Sequence, residues 1–89
     1  MIEHDVAIVN RLGLHARASA KLVQEMTTFE SAVHLTHRGR RINAKSIMGL
    51  MMLAAGRGGV LRATAEGPDE AAAMDALVAL FERRFDEAE

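Results

Sequence analysis

Apolar and polar residues alternate from Ile2 to Val9, with Ile2, Val6 and Ile8 on one side and Glu3 and Asp5 on the other, which is the period of a half-buried strand. His4 falls on the apolar side of that strand and reads as a partly covered structural histidine. Past a loop from Asn10 to Leu14 the period lengthens. Ala18, Leu22, Met26 and Phe29 recur at helical spacing, which predicts a helix over residues 16–28 with Arg17, Lys21, Gln24 and Glu25 toward water. Alternation returns over 32–37, where Val33 and Leu35 face in and His34 and Thr36 face out, and over 41–44, where Ile42 and Ala44 face in. Arg38-Gly39-Arg40 between these two runs predicts a hairpin.

The segment from Ser46 to about Ala55 reads as a short helix, with Ser46 as N-cap and Gly56-Arg57-Gly58-Gly59 as the loop that closes it. Its residues are apolar nearly all round, which a single buried face cannot explain. Leu50, Leu53 and Ala54 can lie on the sheet together; Met48 and Met52 then point outward, with Ile47 and Met51 at the margin. Such a methionine face either lies under tertiary neighbours or serves as an adaptable docking surface. Val60 to Glu66 alternates again, with Leu61, Ala63 and Ala65 inward. Gly67-Pro68 ends that strand, Asp69 is placed to cap a last helix, and Met74, Leu77, Val78, Phe81 and Phe85 give the helix one apolar stripe. Asp86, Glu87 and Glu89 oppose the helix dipole at its far end, so the last turn is expected to fray.

The order strand, helix, strand, strand, helix, strand, helix, with strands apolar on one face only, predicts an α+β fold. Four mostly antiparallel strands carry three helices on one side and water on the other. One domain over residues 1–89 is expected, with a core of aliphatic, alanine and methionine side chains, since the chain has no Trp or Tyr and only 3 Phe.

Composition narrows the function by exclusion. Lys plus Arg number 11 and Asp plus Glu 12, a formal net charge of −1, which argues against a general nucleic-acid binder. There is no cysteine, hence no disulfide framework or thiolate metal site, and His34 and His37 point to opposite faces of their strand, so neither a metal nor a cofactor is expected. Arg38, Arg40 and Arg41 read as a soluble turn surface rather than an anion site. The N-terminus lacks the basic and apolar regions of a signal peptide, and the longest apolar run is too short to span a bilayer. A soluble, cytoplasmic monomer without membrane insertion is the expectation.

The candidate chemistry sits in Arg11-Leu12-Gly13-Leu14-His15-Ala16-Arg17-Ala18-Ser19-Ala20. A glycine turn delivers His15 to a helix start, where unpaired amides from Ala16 onward and the macrodipole favour an anion. A ring nitrogen there can act as nucleophile toward a phosphoryl group, and Arg17 can clamp its oxygens with charge-assisted hydrogen bonds. No glycine-rich nucleotide loop accompanies it, and no second acid or base neighbours it in the sequence.

Gly13-Leu14-His15-Ala16-Arg17, followed later by Ala44-Lys45-Ser46-Ile47-Met48-Gly49-Leu50, resembles the HPr family, the histidine-containing phosphocarriers of the bacterial phosphoenolpyruvate-dependent phosphotransferase system. The likeness runs over essentially the whole chain in length and element order. It implies the open-faced sandwich and a carrier rather than an enzyme. His15 would take a phosphoryl group on Nδ1 from phosphorylated enzyme I and pass it to IIA domains of sugar permeases, with Ala16 and Arg17 contacting the phosphoryl. It also implies that Ser46 is the regulatory serine modified by HPr kinase/phosphorylase in bacteria that carry it, and that Ile47, Met48 and Met51 form the partner-docking patch. Two positions depart from the family pattern: Ala18 stands where proline is usual, and Leu12 where a small polar residue is common. They leave room for a regulatory paralogue, either in a nitrogen-type phosphotransfer chain or as a non-phosphorylated interaction module.

Overall fold

In the computed structural model, which describes residues 1–53 and 55–87, the chain forms β1 (Ile2–Ala7), α1 (Ala16–Met26), β2 (Ala32–His37), β3 (Arg40–Asn43), α2 (Ile47–Met52), β4 (Val60–Glu66) and α3 (Glu70–Glu82). The strands make one antiparallel sheet in the order β1-β4-β2-β3. This is the four-stranded open sheet with three helices that the alternation implied. Register explains why one face is apolar. Ala63 on β4 lies opposite His4 on β1 and Leu35 on β2, while Ala65 lies opposite Ile2 and Val33, so the inward residues of neighbouring strands share rows.

The helices cover those rows. Ala18, Leu22 and Met26 of α1, Leu50 of α2 and Met74, Leu77 and Phe81 of α3 close over Val33, Leu35, Leu61 and Ala63 in a core without Trp or Tyr. Phe29 packs against this core from just beyond α1, partly buried. His4 shares an inward row but sits at the sheet edge, where it lines an open cleft with Val78, Phe81 and Glu82 and stays exposed; alternation assigns a face but says nothing about where the covering layer stops. The β2–β3 connection has positive φ at both central residues, Arg38 (51°) and Gly39 (79°), the two-residue turn whose twist matches a hairpin.

Polar groups tie the layers together. Asp69 precedes α3, yet its carboxylate does not cap that helix. It accepts from the amides of Glu30 and Ser31 at 2.9 Å and from Ser31 Oγ at 2.5 Å, which fastens the α1–β2 connection to the start of α3. On the wet face, Arg62 Nε donates to Asp5 Oδ1 at 2.6 Å and another guanidinium nitrogen to Glu3 Oε1 at 3.1 Å. Arg41 donates to His34 Nδ1 at 3.2 Å; partial burial and then the Arg41 charge lower the His34 pKa below its ordinary value.

The C-terminal segment departs most from the sequence pattern. α3 stops at Glu82, and the backbone turns left-handed at Arg84, Phe85 and Asp86, with φ of 58°, 54° and 63°. Phe85 does not extend the helical stripe. The turn carries it back into the core, fully buried and edge-on to Phe81 with ring centroids 4.9 Å apart. The acidic end does not fray as far as it is described: Lys21 Nζ donates to Phe85 O at 2.8 Å and to Asp86 at 3.3 Å, and Arg83 pairs with Asp86 at 2.9 Å. Glu89 and Ala54 lie outside the described residues.

Candidate functional site

The loop between β1 and α1 is held on both sides. Ile8 exchanges backbone hydrogen bonds with the loop after α2, donating to Gly59 O at 2.9 Å and accepting from Gly58 N at 2.8 Å. Leu14 is buried and donates its amide to Ala55 O at 3.1 Å. Gly13 between these ties adopts φ of 67°, and a Cβ there would lie 2.6 Å from Ala55 O and 2.8 Å from Gly56 Cα. Only glycine allows the two loops this close approach. Asn10, fully buried, donates from Nδ2 to Gly13 O at 2.8 Å and so closes the turn from within.

The turn delivers His15 to the N-cap of α1 with extended backbone, φ −75° and ψ 178°, while His15 O accepts the first helical bond from Ser19 N at 2.9 Å. Its ring does not cap the helix amides. Instead Nε2 meets Oε2 of Glu87, whose other oxygen accepts from Asn10 Nδ2 at 3.0 Å. Burial is the largest single influence on Glu87 and pushes its carboxyl up. The hydrogen bonds from Asn10 and His15, with the attraction of His15 and Arg17, outweigh it and hold the group below the usual carboxylate range.

Around His15 opens a shallow cleft of about 540 Å³ lined by Arg11, Leu12, Arg17, Lys21, Asp86 and Glu87. Arginine and lysine thus border the ring on the helix side, and the two carboxylates border it on the tail side. Ala16 and Arg17, both exposed, form the first turn of α1. His15 and Arg17 line this cleft together, while Ala16 follows His15 in the first turn without lining it. Glu87 and Asn10 were not foreseen. Glu87 lies 72 positions from His15 and no local pattern links them; Phe85, two residues before Glu87, lies at helical spacing and so gives no sign in the sequence that the tail returns.

The second motif occupies a different element. Ser46 caps α2 with its side chain, accepting from Gly49 N at 3.1 Å. Met48 is 74% exposed and Met52 58%, while Met51 at 48% and Ile47 at 42% are less open, so all four stand on the solvent side with Ile47 and Met51 nearer the margin. These residues do not line the His15 cleft. They connect to it through the backbone, because Ala55 and Gly56, the residues that support the Gly13 turn, come three and four positions after the last residue of α2. Among the described residues no group of His, Cys, Asp or Glu is arranged to hold a metal ion, and no helix is long and apolar enough to cross a membrane.

A family model described as the PTS HPr component phosphorylation site matches residues 2–83. The chain is 56% identical over 87 residues, 98% of each chain, to a phosphocarrier protein HPr of Xylella fastidiosa (strain Temecula1), and 55% identical over the full 89 residues of both chains to that of Cupriavidus necator. Among solved structures, HPr-C-His from Thermoanaerobacter tengcongensis superposes with a TM-score of 0.96 at 43% identity, with both chains fully covered. By sequence, by element order and by superposition, this chain belongs to the HPr family of phosphocarrier proteins of the phosphotransferase system.

Proposed function

We propose that this chain carries a phosphoryl group on His15, accepting it from phosphorylated enzyme I and passing it to IIA components of sugar permeases. The observation that supports this most is the placement of His15 at the N-cap of α1, in an open cleft edged by Arg17. A phosphoryl group added to the ring meets the positive end of the helix and a guanidinium able to bind two of its oxygens. The cleft is too shallow to sequester a small substrate from water, which suits a group that one protein must deliver and another must remove. A carrier has to release its cargo, so a few fixed donors serve better than an enclosing pocket. The acid–base and metal machinery of each transfer then belongs to the partners, and the chain acts as a single-domain, cytoplasmic, monomeric shuttle.

Ser46, Ile47, Met48 and Met51 supply regulation and docking in this reading. Phosphorylating Ser46 by HPr kinase would place roughly −1.5 to −2 charges beside the exposed methionine face and weaken apolar docking there. The fusion of both motifs to one supporting loop gives partners that dock on α2 a short route to His15.

Intact-protein mass after incubation with phosphoenolpyruvate, Mg²⁺ and enzyme I tests the carrier role. One acid-labile phosphoryl group is expected on the wild type and none on His15→Ala; an unmodified wild type would remove the reading. The Ser46 role is checked separately with HPr kinase and ATP, where a Ser46→Ala variant modified as readily as the wild type would dismiss it.

A further inference from the structure

The contact between the tail and the reactive ring goes beyond that reading while resting on it. Imidazole has two nitrogens, and in the neutral ring one carries the proton and the other the lone pair. Which is which depends on the hydrogen bond made by one of them. Here the Nε2 partner is Oε2 of Glu87, a carboxylate that can only accept. The carboxylate is itself fixed, since Oε1 accepts from Asn10 Nδ2 at 3.0 Å and Asn10 is fully buried with a second bond to Gly13 O at 2.8 Å. The tail that brings Glu87 is anchored in turn by the burial of Phe85 and by Lys21 on Phe85 O.

We infer that Glu87 is a positioning residue for His15: held by Asn10, it takes the hydrogen bond from Nε2–H and thereby presents the Nδ1 lone pair to the incoming phosphoryl group. In the transfer, the lone pair of Nδ1 forms the N–P bond while the bond between phosphorus and the donor protein breaks, its electron pair leaving with the donor. The ring keeps its Nε2 proton and becomes a phosphoimidazolium, whose positive charge lies against the Glu87 carboxylate. Passing the group on reverses the bookkeeping of electrons: the N–P pair returns to Nδ1 and the ring is neutral again. The arrangement follows the logic of a base whose reactive nitrogen is set by a carboxylate on the other one. Arg17, across the cleft, offsets the repulsion that Glu87 would otherwise exert on the phosphoryl oxygens.

Long-range ¹H–¹⁵N NMR of the His15 ring, combined with steady-state kinetics of phosphoryl transfer from enzyme I, tests this on the full chain. Wild type is expected to hold the unphosphorylated ring in the single Nε2–H tautomer. Glu87→Ala is expected to give a mixture of both tautomers and to lose about tenfold in kcat with KM for the chain unchanged. Glu87→Gln keeps the size of the side chain but has one acceptor oxygen for the two donors, Asn10 and His15, and should move both readouts in the same direction by less. Unaltered amide spectra away from the cleft control for folding. If either readout stays at its wild-type value in Glu87→Ala, the positioning role is overturned. If the wild type takes up no phosphoryl group, the carrier reading itself fails, and the tautomer measurement alone still decides whether Glu87 sets the ring.

Discussion

Replacing Gly13 by alanine should cost far more than the loss of a flexible residue, and the structure says how much and why. Two penalties add. At φ of 67° an L side chain is strained by about 1–2 kcal/mol. The new Cβ would also lie 2.6 Å from Ala55 O and 2.8 Å from Gly56 Cα, both backbone atoms that no rotamer change can remove. Restoring ordinary contact, which begins at 3.4 Å, pulls the two loops apart and lengthens the Leu14 N to Ala55 O hydrogen bond from 3.1 Å toward rupture. Leaving that buried amide unpaired adds about 1–3 kcal/mol. Gly39→Ala is the internal control: its φ of 79° carries the same strain, but nothing lies within 4 Å of its would-be Cβ. We expect urea unfolding to give a loss of about 1 kcal/mol for Gly39→Ala and about 3 kcal/mol for Gly13→Ala. Since 1 kcal/mol shifts the midpoint of a domain this size by about 4–8 °C, thermal melts will separate the two variants as well. Equal losses in the two variants would refute the close-approach argument and leave only backbone strain.

Phe85→Ala removes a fully buried ring, so denaturant unfolding should show a loss of about 3 kcal/mol; a loss no larger than that of a surface residue would mean that the tail is frayed after all. Ser46→Ala deletes the cap of α2 and should cost about 1 kcal/mol in the same measurement, whatever the state of His15. The Ser31 hydroxyl, followed by the Glu30 amide, holds the Asp69 carboxyl below its ordinary range, so across the interval below about pH 4 the unfolded chain binds more protons than the folded one. The resulting stability is complete above the unfolded pKa and is lost as pH falls through the lower folded value. Chemical denaturation of wild type and Asp69→Asn between pH 2 and 7 should therefore show a steeper acid loss in the wild type, and parallel curves would dismiss the contribution of this carboxylate.

What could be read from the sequence was whatever repeats with a local period. The rows of β1, β2 and β4 and the stripe Ala18, Leu22, Met26 follow from spacing alone, because burial on one face writes itself into every second or fourth residue. Phe85 shows the limit. It lies at helical spacing from Phe81 and reads as one more turn of α3, yet the backbone abandons the helix at Arg83 and reaches the same core by a left-handed turn that no propensity suggests. Asp69 reads as an N-cap because of its position, but Ser31, far away in the chain, offers its carboxylate better partners. That His15 and Arg17 share one cleft was legible because they are two positions apart at a helix start. Glu87 and Asn10 were not, since the tail meets the loop only through tertiary packing. In α2 the helical wheel ranked the side chains correctly, with Met48 and Met52 outermost, Met51 and Ile47 less exposed and Leu50 buried, although the helix spans a mere six residues, Ile47–Met52.

The open face of the sheet also bears on how copies of this molecule meet one another. In a thicker fold such a face is where another layer lies, and a flat, apolar one would invite a second copy to stack on it. Here Asp5, Arg62, Thr36 and Arg41 form one row across all four strands, and Glu3, Thr64, His34 and Asn43 form the next. Drying these rows would strip water from Arg62 together with Asp5 and Glu3, at a cost their mutual attraction does not fully return. Two copies are thus discouraged from stacking sheet against sheet, in the manner of fibril layers, even at high concentration. The polar back lets copies of the molecule crowd together without becoming sticky.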